Sequence, residues 1–132
     1  TLLVSDFDQP NGLCFSSDES QLFVNDSIRK HIRVFDINSN GSVSNGSVWA
    51  NVTGSREGVP DGMKVDSAGN LCTTGPGGIH YFSPDATSLG IIYIPEKVAN
   101  FTWGDGDLRS MFITASTSLY RVRVKVPGIK IF

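Results

Sequence analysis

An internal repeat narrows this chain to few architectures. Gln9-Pro10-Asn11-Gly12-Leu13, a turn, and Gln21-Leu22-Phe23-Val24-Asn25 return as Val59-Pro60-Asp61-Gly62-Met63, the turn Asp66-Ser67-Ala68-Gly69, and Asn70-Leu71-Cys72-Thr73-Thr74. A weaker third copy runs Val98-Ala99-Asn100-Phe101-Thr102-Trp103, a turn, and Ser110-Met111-Phe112-Ile113-Thr114-Ala115. The anchors Asn11, Asp61 and Asn100 stand 50 and 39 residues apart. A period of about 40 to 50 residues, with about four short strands in each unit, is that of β-propeller blades.

The local pattern agrees. No window places apolar residues at i, i+3, i+4 and i+7 over three turns, and 14 Gly and 6 Pro interrupt the chain too often for long helices. Runs rich in β-branched and aromatic residues recur instead, at 12–16, 21–25, 32–37, 48–52, 63–66, 70–74, 79–82, 89–94, 101–104, 111–115 and 119–125. Between them lie Asn-, Asp-, Gly- and Pro-rich turns such as Asn38-Ser39-Asn40-Gly41 and Ser83-Pro84-Asp85. The expected fold class is all-β, with about three propeller blades over 6–54, 55–96 and 97–132, preceded by an orphan outer strand at 1–5.

Three blades are half of a six-bladed ring, and an open arc leaves two blade faces and two strand edges uncovered. The last repeat offers no fourth strand after Val124, and the orphan strand matches that vacancy. A homodimer with a two-fold axis would close the ring by exchanging residues 1–5. The alternative is an N-terminal half that precedes this sequence. In either ring the first strand of each blade lines the channel, so Asn11, Asp61 and Asn100 point towards a common axis. Short polar groups converging there suit a hard cation. A carboxamide and a carboxylate oxygen favour Ca²⁺ first, with Mg²⁺, Mn²⁺ or Zn²⁺ as alternatives.

Other functions are disfavoured by composition and spacing. With 11 Lys and Arg against 13 Asp and Glu, and no basic run longer than Arg29-Lys30-His31-Ile32-Arg33, a phosphate-backbone partner is not expected. No apolar run approaches the roughly 20 residues that cross a bilayer, so no membrane partner is expected, and no leader opens the chain as given, so the expectation is a soluble protein of cytoplasmic or unassigned location. Cys14 and Cys72 lack metal or redox spacing. His31 and His80 have no partner at metal spacing, Ser16 and Ser27 lack a nucleophile elbow, and Gly75-Pro76-Gly77-Gly78 is no phosphate loop. Asp26, Asp36 and Asp66 read as turn caps. Asn-x-Ser/Thr triplets start at Asn25, Asn40, Asn45, Asn51 and Asn100, and are read here as compositional.

Several segments carry a likeness. Gln9-Pro10-Asn11-Gly12-Leu13, Phe23-Val24-Asn25-Asp26-Ser27, Ile32-Arg33-Val34-Phe35-Asp36, the run from Gly58-Val59-Pro60-Asp61-Gly62-Met63-Lys64 to Asn70-Leu71, and the Asn100 to Leu119 stretch resemble the second half of the SMP-30/gluconolactonase/luciferin-regenerating-enzyme-like family. Its members are six-bladed lactonases that use one divalent metal. The resemblance implies that Asn11 and Asp61 are metal ligands, that Asp61 also acts as the base handling the attacking water, and that the substrate is a sugar lactone or related lactone. The family's Glu ligand and its substrate-contacting Arg and Asn lie upstream of this sequence. Two positions depart from the family's Phe-Gly-Gly turn, with Trp103 in place of Phe and Asp105 in place of the second Gly. Asn100 is expected either to line the substrate channel or to form a turn. The expected activity of the assembled ring is metal-dependent lactone hydrolysis; the rival is a non-catalytic half-propeller that binds or scaffolds without a full metal site.

Overall fold

Turn chemistry sets where the strands stop. Glu19, Lys30, Gly41, Gly69, Gly77, Ala86 and Asp105 adopt positive φ, between 54° and 89°, in the connections between successive strands. In the two-residue connection Pro76-Gly77, Pro presets the first φ and Gly77 takes 89° at the second position. The computed structural model describes residues 1–130, and among these it contains eleven strands and no helix. They are β1 (Pro10–Phe15), β2 (Gln21–Asp26), β3 (His31–Ile37), β4 (Val43–Asn51), β5 (Met63–Val65), β6 (Leu71–Gly75), β7 (Gly78–Phe82), β8 (Ser88–Tyr93), β9 (Val98–Gly104), β10 (Ser110–Ala115) and β11 (Leu119–Arg123).

They form three antiparallel meanders, β1-β2-β3-β4, β5-β6-β7-β8 and β9-β10-β11, each one blade of the half-propeller. Period-two alternation gives each sheet two faces, and the faces stack. Phe23, Ile32 and Val52 of blade one meet Met63, Leu71 and Phe82 of blade two, with Trp49 edge-on to Phe23 and Phe82 at 5.0 and 5.8 Å. Cys72, Ile79 and Ile94 of blade two meet Phe101, Met111 and Ile113 of blade three. The outward faces stay open. On blade one Leu13 and Phe15 remain 59% and 49% exposed. On blade three the cross-strand row Thr102, Phe112 and Arg121 faces outward.

Three expectations change. Residues 1–5 form no strand in the single chain. The segment after them folds back on its own blade: Asp6 pairs with Arg33 at 2.6 Å, Asp8 with Arg29 at 2.9 Å, and the Arg33 guanidinium lies 4.8 Å from the Phe7 and Phe35 rings. β4 starts at Val43, five residues earlier than read, because Asn45 at φ 54° makes a bulge that breaks the alternation. After Val124 the chain leaves the sheet and tucks beside blade two, where Asp66 bridges Gly128 and Ser67 N donates to Pro127 O at 3.0 Å.

Asp26 and Asp66 cap turns as expected. Asp26 is fully buried and accepts from the backbone N–H groups of Asp8, Gln9, Ile28 and Arg29. Asp66 accepts from Ala68 N and Asn70 N. Asp36 differs, since its carboxylate accepts from the side chains of Gln21 and Asn45 rather than from a turn backbone.

Candidate functional site

Asn11 is the second residue of β1, Asp61 lies two residues before β5, and Asn100 is the third residue of β9. Adjacent inner strands approach here more closely than side chains would allow. A Cβ on Gly12 would overlap the Asp61 carbonyl oxygen, and one on Gly62 would overlap the Asn100 carboxamide and lie 2.9 Å from its Cα. Gly62 N also donates to Ala99 O at 2.9 Å. The repeated glycine after the anchor therefore serves close strand approach rather than turn conformation. It brings the three anchor segments to one end of three neighbouring strands.

A second layer, which sequence reasoning missed, holds these segments. Asn25 is fully buried at the end of β2; its Oδ1 accepts from Gly12 N at 2.9 Å, while its Nδ2 donates to Asp61 O at 2.7 Å and Thr73 Oγ1 at 3.1 Å. Thr74 in blade two does the matching work, accepting from Asp61 N at 2.9 Å, and Thr114 in blade three donates to Asn100 O at 3.2 Å. Ser27 Oγ accepts from Asn11 Nδ2 at 3.3 Å and donates to Pro60 O at 2.5 Å. The available signal was a polar residue ending the second strand of each repeat.

These bonds leave acceptors free. Among the described residues, neither Asn11 Oδ1 nor the Asp61 carboxylate accepts a hydrogen bond, although both residues are held through their other atoms. Two hard oxygens on fixed segments suit a hard divalent cation, but they are an incomplete donor set. No group of three or more His, Cys, Asp and Glu able to hold a metal gathers among the described residues. Asn100 Oδ1 accepts from Phe101 N at 2.9 Å and from Lys64 Nζ at 3.5 Å. Lys64, also missed, lies 5.6 Å from the Phe101 ring and makes no ion pair among the described residues.

The two departures at the third blade have local explanations. Asp105 holds φ 64°, the left-handed conformation a Gly would take, and its carboxylate pairs with Arg121 at 3.2 Å. Trp103 packs edge-on to Phe101 at 5.7 Å with Gly128 against its side chain, in the core between blades two and three. The other candidates are structural. His80 is buried, its Nε2 lies 3.0 Å from Pro76 O, and burial lowers its pKa. Burial pushes the Cys14 thiol up to about 12, against the opposing Lys64 charge, and raises Cys72 as well, so neither is a thiolate at neutral pH.

The sequence profile of the SMP-30/gluconolactonase/LRE-like region matches residues 1–117. The chain belongs to this family. It is 35% identical over 136 aligned positions to a gluconolactonase of Zymomonas mobilis, covering 96% of this chain and 38% of that protein. A solved gluconolactonase of Xanthomonas campestris superposes with a TM-score of 0.79 at 31% identity, covering 94% of this chain and 40% of the other. Regucalcin of Agrobacterium tumefaciens, described as calcium-binding, superposes with a TM-score of 0.84 at 18% identity, covering 98% and 50%, and so shares the fold. This family member spans about two fifths to one half of these relatives' length. No helix of the described residues is long and apolar enough to cross a membrane.

Proposed function

We propose that this half-propeller takes part in metal-dependent hydrolysis of a sugar lactone or a related lactone. Asn11 Oδ1 and the Asp61 carboxylate would hold one divalent cation, Ca²⁺ first, in a ring completed by a second copy or by a preceding half. The observation carrying the reading is that both anchor segments are fixed by Asn25, Ser27 and Thr74 while their metal-suited oxygens are left without donors. The lactonase relatives supply the reaction class.

A bound cation would polarise the lactone carbonyl and favour ionisation of a nearby water. Asp61 would accept the proton of the attacking water, and its main chain, held on both N–H and C=O, keeps that carboxylate in place. Asn100, at the start of the neighbouring strand, would contact the sugar hydroxyls. Water adds to the carbonyl carbon, the ring C–O bond breaks, and a hydroxy acid leaves.

The test is lactone turnover by the purified chain with and without EDTA, with molar mass by light scattering on the same sample. Expected is turnover that EDTA abolishes and Ca²⁺ restores, from a mass of two chains where a second copy completes the ring and only after addition of a preceding half where it does not. Turnover insensitive to EDTA, or none from an assembled ring, overturns the reading.

A further inference from the structure

Of the eight asparagines in the chain, five begin an Asn-x-Ser/Thr triplet, whereas Ser and Thr, 24 of 132 residues, would fall in the third position after about one or two of them. Composition therefore does not account for the triplets. Their placement is also uneven: three, at Asn40, Asn45 and Asn51, lie within twelve residues along β4 and the turn before it. β4 is the outermost strand of blade one, hydrogen-bonded on one side to β3.

The structure sorts the five. Asn25 is fully buried with its amide nitrogen committed to Asp61 O and Thr73 Oγ1, so a glycan there is incompatible with the fold. Asn100 sits at the inner strands beside Lys64. Asn45 is exposed, but its nitrogen donates to Asp36 Oδ2 at 2.8 Å. Asn40 is exposed, and its Oδ1 accepts from both Ser42 N at 3.0 Å and Ser42 Oγ at 2.7 Å. That local turn leaves the Asn40 nitrogen outward and without an acceptor among the described residues. Asn51 is exposed at the end of β4, followed by buried Val52 and exposed Thr53, and its nitrogen has no acceptor among the described residues.

We infer that the outer edge of blade one is an N-glycan acceptor edge, occupied at Asn40 and Asn51 and excluded from Asn25. The donor class is a polyprenyl-diphosphate oligosaccharide. In the transfer a bond forms between the Asn Nδ2 and sugar C1, the C1–O bond to the diphosphate breaks, and the amide proton is released as the polyprenyl diphosphate leaves. Glycans here would cover an open strand edge that is otherwise free to pair with another chain. The inference is independent of the lactonase reading.

To test it, the full chain is expressed behind a cleavable secretory leader in a eukaryotic host. Peptide-N-glycosidase digestion in heavy-oxygen water then marks each formerly glycosylated Asn as labelled Asp, and peptides are mapped from whole-cell and secreted pools. Asn40 and Asn51 are expected to carry label in the whole-cell pool, with Asn25 unlabelled in secreted chain. Ser42→Ala and Thr53→Ala should each remove one glycan-sized mobility step. Absence of label at either Asn40 or Asn51 in the whole-cell pool overturns the inference, as does label at Asn25 in secreted chain.

Discussion

Asn25 Nδ2 donates to the backbone carbonyl of Asp61 across 2.7 Å, so a buried side chain of blade one holds the main chain of blade two at the proposed metal ligand. The same carboxamide accepts from Gly12 N. One residue thus sets the spacing of both anchor segments.

Asn25→Ala removes a fully buried side chain and the hydrogen-bond partner of Gly12 N, Asp61 O and Thr73 Oγ1, and is expected to destabilise the chain by about 3 kcal/mol. Urea unfolding measures it; an unchanged midpoint contradicts the bridging role. Asn25→Asp adds a pH dependence. It turns a carboxylate towards a carbonyl in a buried site, which raises the folded-state carboxyl pKa. Its stability should hold at low pH and fall as pH rises past the unfolded carboxyl's value.

Gly12→Ala and Gly106→Ala separate close approach from loop tolerance. A Cβ at Gly12 meets the Asp61 carbonyl, while one at Gly106 meets nothing within 4 Å. The first should cost about 2 kcal/mol or more and the second under about 0.5 kcal/mol by thermal unfolding. Equal losses would remove the packing explanation for the repeated glycine.

Acid should destabilise the fold through its hydrogen-bonded carboxylates. Burial opposes ionisation of Asp26, but backbone donors led by Arg29 N more than offset it, and its pKa lies below the ordinary 3.8. The Ser118 and Tyr120 hydroxyls lower Glu96 from 4.5 to about 2. For groups lowered in the folded state, the stabilisation is present above the unfolded value and lost as pH falls through the folded one. Unfolding free energy should therefore drop between about pH 4.5 and pH 2. Asp26→Asn should flatten that drop and cost about 1 to 3 kcal/mol at neutral pH.

Asp61→Ala should spare the fold while removing the cation. The Asp61 main chain makes both its hydrogen bonds, and its carboxylate accepts none among the described residues. A stability change under about 0.5 kcal/mol is expected, together with loss of Ca²⁺ binding by calorimetry. Retained Ca²⁺ affinity would remove Asp61 from the site.

Much of the architecture was legible because it is local. Tyr120 to Lys125 alternates in plain period two, Gln21 to Asn25 and Ser110 to Ala115 are short apolar runs bounded by polar residues, and Asn38-Ser39-Asn40-Gly41 and Pro76-Gly77 carry turn chemistry within a few residues. β4 was misplaced because the Asn45 bulge breaks that alternation. Residues 1–5 were read as an orphan outer strand, but in the single chain they pair with no edge.

The amino-acid order alone determined eleven strands, three repeats and the three anchors, since alternation, turn residues and spacing act over a few positions or recur at a fixed period. Tertiary structure alone decided that Asn25 bridges to Asp61, 36 residues away, that Gly12 and Gly62 serve strand approach, and that Trp103 packs inward. Such contacts depend on how one twisted sheet stacks on the next, and no local pattern encodes which distant backbone oxygen a buried carboxamide will meet.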